Sequence, residues 1–240
     1  MMITIGNFLF RYRNALFPLT ALLLLLPGAA LFADPLHAAL LGALVASCGQ
    51  LVRALTIGLD YIVRGGREGK VYADGLVITG IYRHTRNPMY VGNITIAIGV
   101  ALASNSWSTV CVTVPLVCFA YVAIVAAEEN YLRGKFGPAY EDYCREVPRW
   151  LPLSFGNWGK LWSTFQRTSF HWRRVIVKEY GTPAGWIAAL CGVTLYNVWS
   201  NGNWNVHDVR VQGLLGVVAA TFGLWLLARI LKKTKVLRAD

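Results

Sequence analysis

Apolar positions along this chain come in long unbroken runs. They show neither the alternation of a half-buried strand nor the three-four spacing of a surface helix. Six runs fit membrane crossings, approximately 17–33, 38–59, 89–103, 108–127, 183–199 and 211–231. About 20 apolar residues span a hydrocarbon core, so the first, third and fifth runs are short and need tilt or local thinning. The pattern predicts an all-α fold: a polytopic helical membrane bundle with about six transmembrane helices. Arg11 and Arg13 ahead of the first run, and Ala33 before Asp34, imitate a signal peptide. Leu31 at the minus-three position is a poor cleavage signal and another apolar run follows at once, so the segment reads as a retained span.

Composition sharpens this picture. The 240 residues are 55% hydrophobic and 15% charged, against a usual charged share of roughly 25%. That excludes a disordered chain, a disulfide mini-protein and an ordinary soluble enzyme. The net charge of +11 is distributed in blocks. Basic residues flank the runs at Arg11 and Arg13, from Arg64 to Arg86, from Arg133 to Lys178, and from Lys232 to Arg238. The alternate loops, 34–37, 104–107 and 200–210, contain only Arg210. Six crossings put every basic block on one side, which predicts both termini in the cytoplasm. Topology thus accounts for most of the positive charge without nucleic acid. Arg53 is the exception, about two turns before the end of the second run. It reads as a partner of Asp60 or of a helix terminus, or as the wall of a polar pocket.

Soluble-site signatures are missing. Cys48, Cys111, Cys118, Cys144 and Cys191 form no C-x-x-C and read as small apolar or cytosolic thiols. The four histidines make no H-x-x-x-H or H-E-x-x-H pair, so no metal site is expected. P-loop and G-x-G-x-x-G patterns are absent too.

Polar chemistry gathers in two segments instead. In the first, Gly75 and Gly80 permit turns, and Pro88 opens a helix with Asn87 as its N-cap. Arg83, Arg86 and Asn87 therefore sit at a helix N-terminus near the membrane surface. That arrangement suits a carboxylate or phosphate, or serves as a positive-inside anchor. In the second, Glu128 and Glu129 end a long apolar run, which requires water, a cation or basic groups beside them. A helix continuing through Lys135 would remove the unfavourable macrodipole contact. Tyr140 and Tyr143 share a helix face, and Arg149 follows in a proline-flanked extended stretch. Carboxylates beside tyrosine faces suit a cationic ligand.

Together the two segments resemble the superfamily of isoprenylcysteine carboxyl methyltransferases and phospholipid methyltransferases. The first motif is carried by Gly80, Tyr82, Arg86, Asn87, Pro88, Tyr90 and Gly92. The second is carried by Glu128, Glu129, Leu132, Phe136, Gly137, Tyr140, Tyr143, Val147, Pro148, Arg149 and Pro152. The similarity covers about residues 50–152. It departs from the best-known members in having Asn87 where they have His, and Asn cannot titrate near neutral pH. The resemblance implies S-adenosylmethionine as methyl donor in a pocket facing the cytoplasm. It also implies a lipid-like or small hydrophobic acceptor (carboxyl, thiol or amine) arriving from the bilayer. By the same resemblance Gly80, Tyr82, Arg86, Asn87, Pro88, Tyr90, Glu128, Glu129, Tyr140 and Tyr143 bind the donor. Arg149, Glu128 and Arg53 are the candidates for catalysis, Glu128 or Glu129 as base for an amine and Arg53 or Arg149 as holders of an acidic acceptor.

Beyond the motifs, Trp158, Leu161, Trp162, Phe165, Trp172 and Ile176 fall near one helical face. They read as an interfacial amphipathic helix on an anionic inner leaflet. The expected organisation is a two-span segment (1–60), a methyltransferase core (61–155), and an amphipathic helix with two further spans (156–240). The expected location is a multi-pass membrane protein of the inner or plasma membrane. The alternatives are an NADPH-dependent membrane reductase related to the sterol reductases, and a non-catalytic binding or scaffolding protein.

Overall fold

The computed structural model describes residues 1–60, 71–151, 162–164 and 169–237. The described residues contain no strand, only an isolated bridge between Ala30 and Ser106. Helix α1 (Met2–Leu19) runs on as a 3-10 turn (Thr20–Leu25). It is followed by α2 (Pro35–Leu59), α3 (Pro88–Ala103), α4 (Trp107–Phe136) and the short α5 (Pro138–Glu146). After 162–164 come α6 (Trp172–Glu179), α7 (Gly181–Ser200) and α8 (Val209–Lys233). This is a helical membrane bundle. Among the described residues, Met2–Leu25, Pro35–Leu59, Trp107–Phe136 and Val209–Lys233 are long and apolar enough to cross a membrane, and Pro88–Ala103 is a shorter apolar helix.

The local signals act where the sequence puts them. Asp34 caps α2 through a bond from the Leu36 amide at 2.9 Å, with Pro35 in the first turn. Ser106 caps α4 from the Thr109 amide, and Pro88 opens α3. Helix α4 passes Glu128 and Glu129 without a break, so neither carboxylate faces a helix C-terminus.

Three expectations change. The first crossing does not start near Phe17; the helix begins at Met2, contains Arg11 and Arg13, and ends at Leu25. Pro27 forces Leu26 into extended geometry, and residues 29–32 instead bond to the α3–α4 loop, as in the Leu31 amide to Asn105 carbonyl contact at 3.3 Å. Asn87 occupies the N-cap position of α3, but its side chain makes no capping bond. Third, Trp172 and Ile176 belong to a separate eight-residue helix. The expected continuation through Trp158, Leu161 and Phe165 lies outside the described residues, as do Arg64, Arg67, Lys70, Pro152 and Arg238.

Packing of α2 on α3 depends on glycine. A Cβ on Gly99 would lie 2.5 Å from the Gly42 carbonyl oxygen and the Ala46 nitrogen, and one on Gly49 would lie 2.6 Å from the Gly92 oxygen. The two backbones therefore touch directly, as small residues allow between membrane helices. Helix α1 packs on α4 through a core of Phe10, Tyr90, Val117, Tyr121, Ile124 and Val125. Helix α7 closes on α2 and α3 through Ala39, Ala103, Leu190, Cys191 and Val193. Asn197 Nδ2 donates to the Ser104 carbonyl at 2.8 Å and the His171 backbone amide to the Gly58 carbonyl at 2.9 Å, tying the C-terminal helices to the core. Leu40, Leu44, Leu51, Phe119, Phe222 and Leu224 point outward, a surface made for hydrocarbon.

Candidate functional site

The site begins with a carboxylate. Glu129, on the last turns of α4, is 2% exposed. Its Oε1 accepts from Arg86 Nη2 and Arg149 Nε, both at 3.0 Å. Its Oε2 accepts from Arg149 Nη2 at 2.6 Å and Arg133 Nη2 at 3.3 Å. A carboxylate offers about four lone-pair positions, and these four bonds use them. Glu129 thus gathers three guanidiniums, two from the predicted motifs and one from its own helix. Its bond to Arg149 holds that guanidinium above its ordinary pKa, against the opposing effect of burial.

Main-chain carbonyls complete the seam between the motifs. Arg86 Nη1 donates to the Cys144 and Val147 carbonyls at 2.9 and 3.2 Å. The Arg86 amide donates to the Pro148 carbonyl at 3.0 Å. The Thr85 hydroxyl donates to the Trp150 carbonyl, and Asn87 Nδ2 to the Arg149 carbonyl at 3.0 Å. Asn87 is therefore a fastener between segments rather than a helix cap. The Tyr143 hydroxyl donates to the Tyr82 carbonyl at 2.7 Å. Gly80 sits at φ +58, where its turn passes Asp60 so closely that a Cβ would lie 2.8 Å from that residue's Cβ.

A cavity of about 1070 Å³ opens beside this seam. Pockets for small molecules run from roughly 300 to 1,000 Å³. Tyr82, Arg86, Asn87, Tyr90, Glu128, Glu129, Tyr140 and Tyr143 all line it, and Arg53 forms part of another wall. Gly80, Pro88 and Arg149 are not part of that lining; they supply a turn, a helix start and an arginine clamp. Glu128 accepts from the Tyr90 hydroxyl at 2.5 Å. Tyr140 and Tyr143, both buried on α5, hold their rings 6.0 Å apart. Burial first, then the Glu129 charge, pushes the Tyr140 phenol above its ordinary pKa. Arg86 Nε is buried with no hydrogen-bond partner among the described residues. An orphaned guanidinium donor at a cavity wall calls for an acceptor from a ligand or water.

Arg53 does not pair with Asp60. It is held by Glu179 of α6, with Nε to Oε2 at 2.9 Å and Nη2 to Oε1 at 2.5 Å. Sequence reasoning missed Glu179, which holds Arg53, and also Asn93, Lys178, Thr182 and Lys232, the four of which line the cavity. The available signal was a lone acid among Arg173, Arg174 and Lys178, just ahead of an apolar run. Among the described residues, no group of three or more His, Cys, Asp or Glu could hold a metal ion.

A helical membrane protein with a polar, arginine-clamped cavity at the end of its spanning helices is the class these features define. Residues 38–139 match the family described as phospholipid methyltransferase. The chain is 39% identical over 79 residues to the protein-S-isoprenylcysteine O-methyltransferase of Schizosaccharomyces pombe, covering 32% of this chain and 33% of that one. It is 30% identical over 118 residues to a probable protein-S-isoprenylcysteine O-methyltransferase of Oryza sativa subsp. indica, 47% of this chain and 60% of that one. It is also 29% identical over 133 residues to the cobalt-zinc-cadmium resistance protein CzcN of Cupriavidus metallidurans, 53% of this chain and 56% of that one. The chain thus spans between a third and three-fifths of the length of these relatives. No solved structure matches it. Through residues 38–139, less than half of its length, the chain is similar to the phospholipid methyltransferase family.

Proposed function

We propose that this protein is an integral membrane methyltransferase that uses S-adenosylmethionine and acts on a lipid-like or small hydrophobic acceptor at the cytoplasmic leaflet of the inner or plasma membrane. The reading rests on one observation above all. Both motifs converge on Glu129, and the cavity beside it presents a second carboxylate, Glu128, among tyrosine faces. The cavity's groups fit such a donor. Glu128 and the rings of Tyr90, Tyr140 and Tyr143 suit its cationic parts, and the unpartnered Arg86 Nε suits its carboxylate. Glu129, with its lone pairs engaged, positions Arg86 and Arg149 rather than meeting the donor itself. When bound, S-adenosylmethionine supplies an electrophilic methyl on a sulfonium.

The chain's own part is orientation and exclusion of water. A carboxylate or thiolate acceptor needs no proton removed. An amine does, and Glu128, one hydrogen bond from Tyr90, is the base placed to take it. In this reading residues 61–155 carry the transfer chemistry, flanked by spans from 1–60 and 156–240, with six crossings and both termini in the cytoplasm. Purified protein should retain radiolabelled S-adenosylmethionine and no NADPH. Lipid extracts from cells with and without the gene should differ by species one methylene apart. Failure to retain the donor at millimolar concentration would refute the proposal.

A further inference from the structure

An arginine two turns inside a membrane helix is expensive, and an ion pair there gains little over apolar side chains of the same volume. The Arg53–Glu179 pair is nonetheless built with care. Glu179 also accepts from Gln50 Nε2 at 3.1 Å, and Trp186 Nε1 donates to Gln50 Oε1 at 3.2 Å. Arg53 Nη1 donates to Asn93 Oδ1, and Nη2 reaches the Thr182 hydroxyl at 3.4 Å. A guanidinium has five N–H donors. Four are engaged among the described residues, which leaves one on Nη1. The cluster is not sealed: Arg53, Asn93, Thr182 and Trp186 line the same cavity as Glu128.

Its position relative to the motifs is defined by α3. Tyr90, which binds Glu128, and Asn93, which binds Arg53, are one helical turn apart, a rise of about 4.5 Å. The Arg53 pocket therefore adjoins the Glu128 pocket, one turn further along α3 from its start at Pro88. The lining of the whole cavity holds Arg13, Arg53, Arg86, Lys178 and Lys232 against Glu128 and Glu129, an excess of cations. Glu179, Lys178, Thr182, Trp186 and Lys232 all come from residues beyond the family match at 38–139.

We propose that α6 and α7 complete an acceptor subsite in which Arg53 binds the anionic headgroup, carboxylate or phosphate, of an amphiphilic acceptor, with Glu179 as the positioning residue. The C-terminal helices then belong to substrate selection rather than to anchoring alone. This rests on the methyltransferase reading for its meaning, while the anion preference itself is measurable without the donor.

The test uses the full chain in nanodiscs and three probes with one isoprenoid tail: S-farnesylcysteine, its carboxamide, and farnesyl phosphate. Wild type should bind the carboxylate or the phosphate at least about tenfold more tightly than the carboxamide, a difference of about 1.4 kcal/mol. Whichever anion binds better identifies the headgroup. Replacing the pair together, Arg53→Met with Glu179→Met, should bring all three probes within about threefold while donor retention stays at the wild-type level. Glu179→Gln, which keeps the shape, should raise the KM for an anionic acceptor far more than it lowers kcat. Equal binding of carboxamide and anions by wild type overturns the proposal, as does a preference that survives the double replacement. Anion preference in a wild type that retains no S-adenosylmethionine would leave the subsite standing and remove the methyltransferase reading.

Discussion

Replacing Glu129 by Gln preserves the side chain's shape and removes its charge, which isolates the role of the arginine clamp. The Arg86 pair is the dry one, with side chains 9% and 2% exposed. Breaking a buried pair on one side costs about 3–5 kcal/mol. Arg86 keeps its bonds to the Cys144 and Val147 carbonyls, which favours the low end. Arg133 and Arg149 are 46% and 41% exposed, and screened pairs add on the order of 0.2–1 kcal/mol each. A total of about 3.4–5 kcal/mol corresponds to a melting temperature lower by about 7–20 °C for a chain of this size. Tryptophan fluorescence on heating, in nanodiscs with and without S-adenosylmethionine, reads both stability and donor binding. The expected result is a lower melting temperature together with weakened donor binding. An unchanged melting temperature with donor binding abolished would refute the reasoning, because Glu129 would then meet the donor directly instead of holding the arginines.

Three further outcomes are expected. Glu128→Gln keeps the side chain's shape and weakens its bond from Tyr90, and it should reduce donor affinity about tenfold or more in equilibrium dialysis; unchanged affinity would remove Glu128 from the donor site. Gly99→Ala should lower thermal stability by about 1–3 kcal/mol, because the new methyl meets backbone of α2 rather than a movable side chain; a neutral effect would deny the close helix contact. A reporter fused after Asp240 should report the cytoplasm, and a signal from the opposite face would overturn the six-crossing arrangement.

The sequence discloses what is local. Pro88 opens α3, the apolar run carries α4 past both glutamates, and the spacing of Tyr140 and Tyr143 puts them on one face, because each follows from neighbours within a turn. The candidate pocket was legible only through motif resemblance, which names residues without saying how they meet. Glu129 as a saturated hub and Asn87 as a bond to the Arg149 carbonyl are tertiary facts. So is the partner of Arg53, which lies 126 residues away. The nearer acid, Asp60, lies instead against Gly80, while Arg53 lines the cavity. The first helix starts earlier than its apolar run because Arg11 and Arg13, which look like a flank, lie in a stretch with no helix breaker before Pro18.

The seam between the motifs grips carbonyls. Thr85, Arg86 and Asn87 bond to oxygens of Cys144, Val147, Pro148, Arg149 and Trp150, atoms that every amino acid possesses. Such a joint is indifferent to most side chains on the receiving segment. That segment can change its outward residues, Arg149 and the buried Val147 apart, and so change what it shows to lipid or water, while the distance between the two halves of the pocket stays the same. Variation along 144–150 is thus a route by which chains of this kind can diversify their surroundings without rebuilding the place where the chemistry would occur.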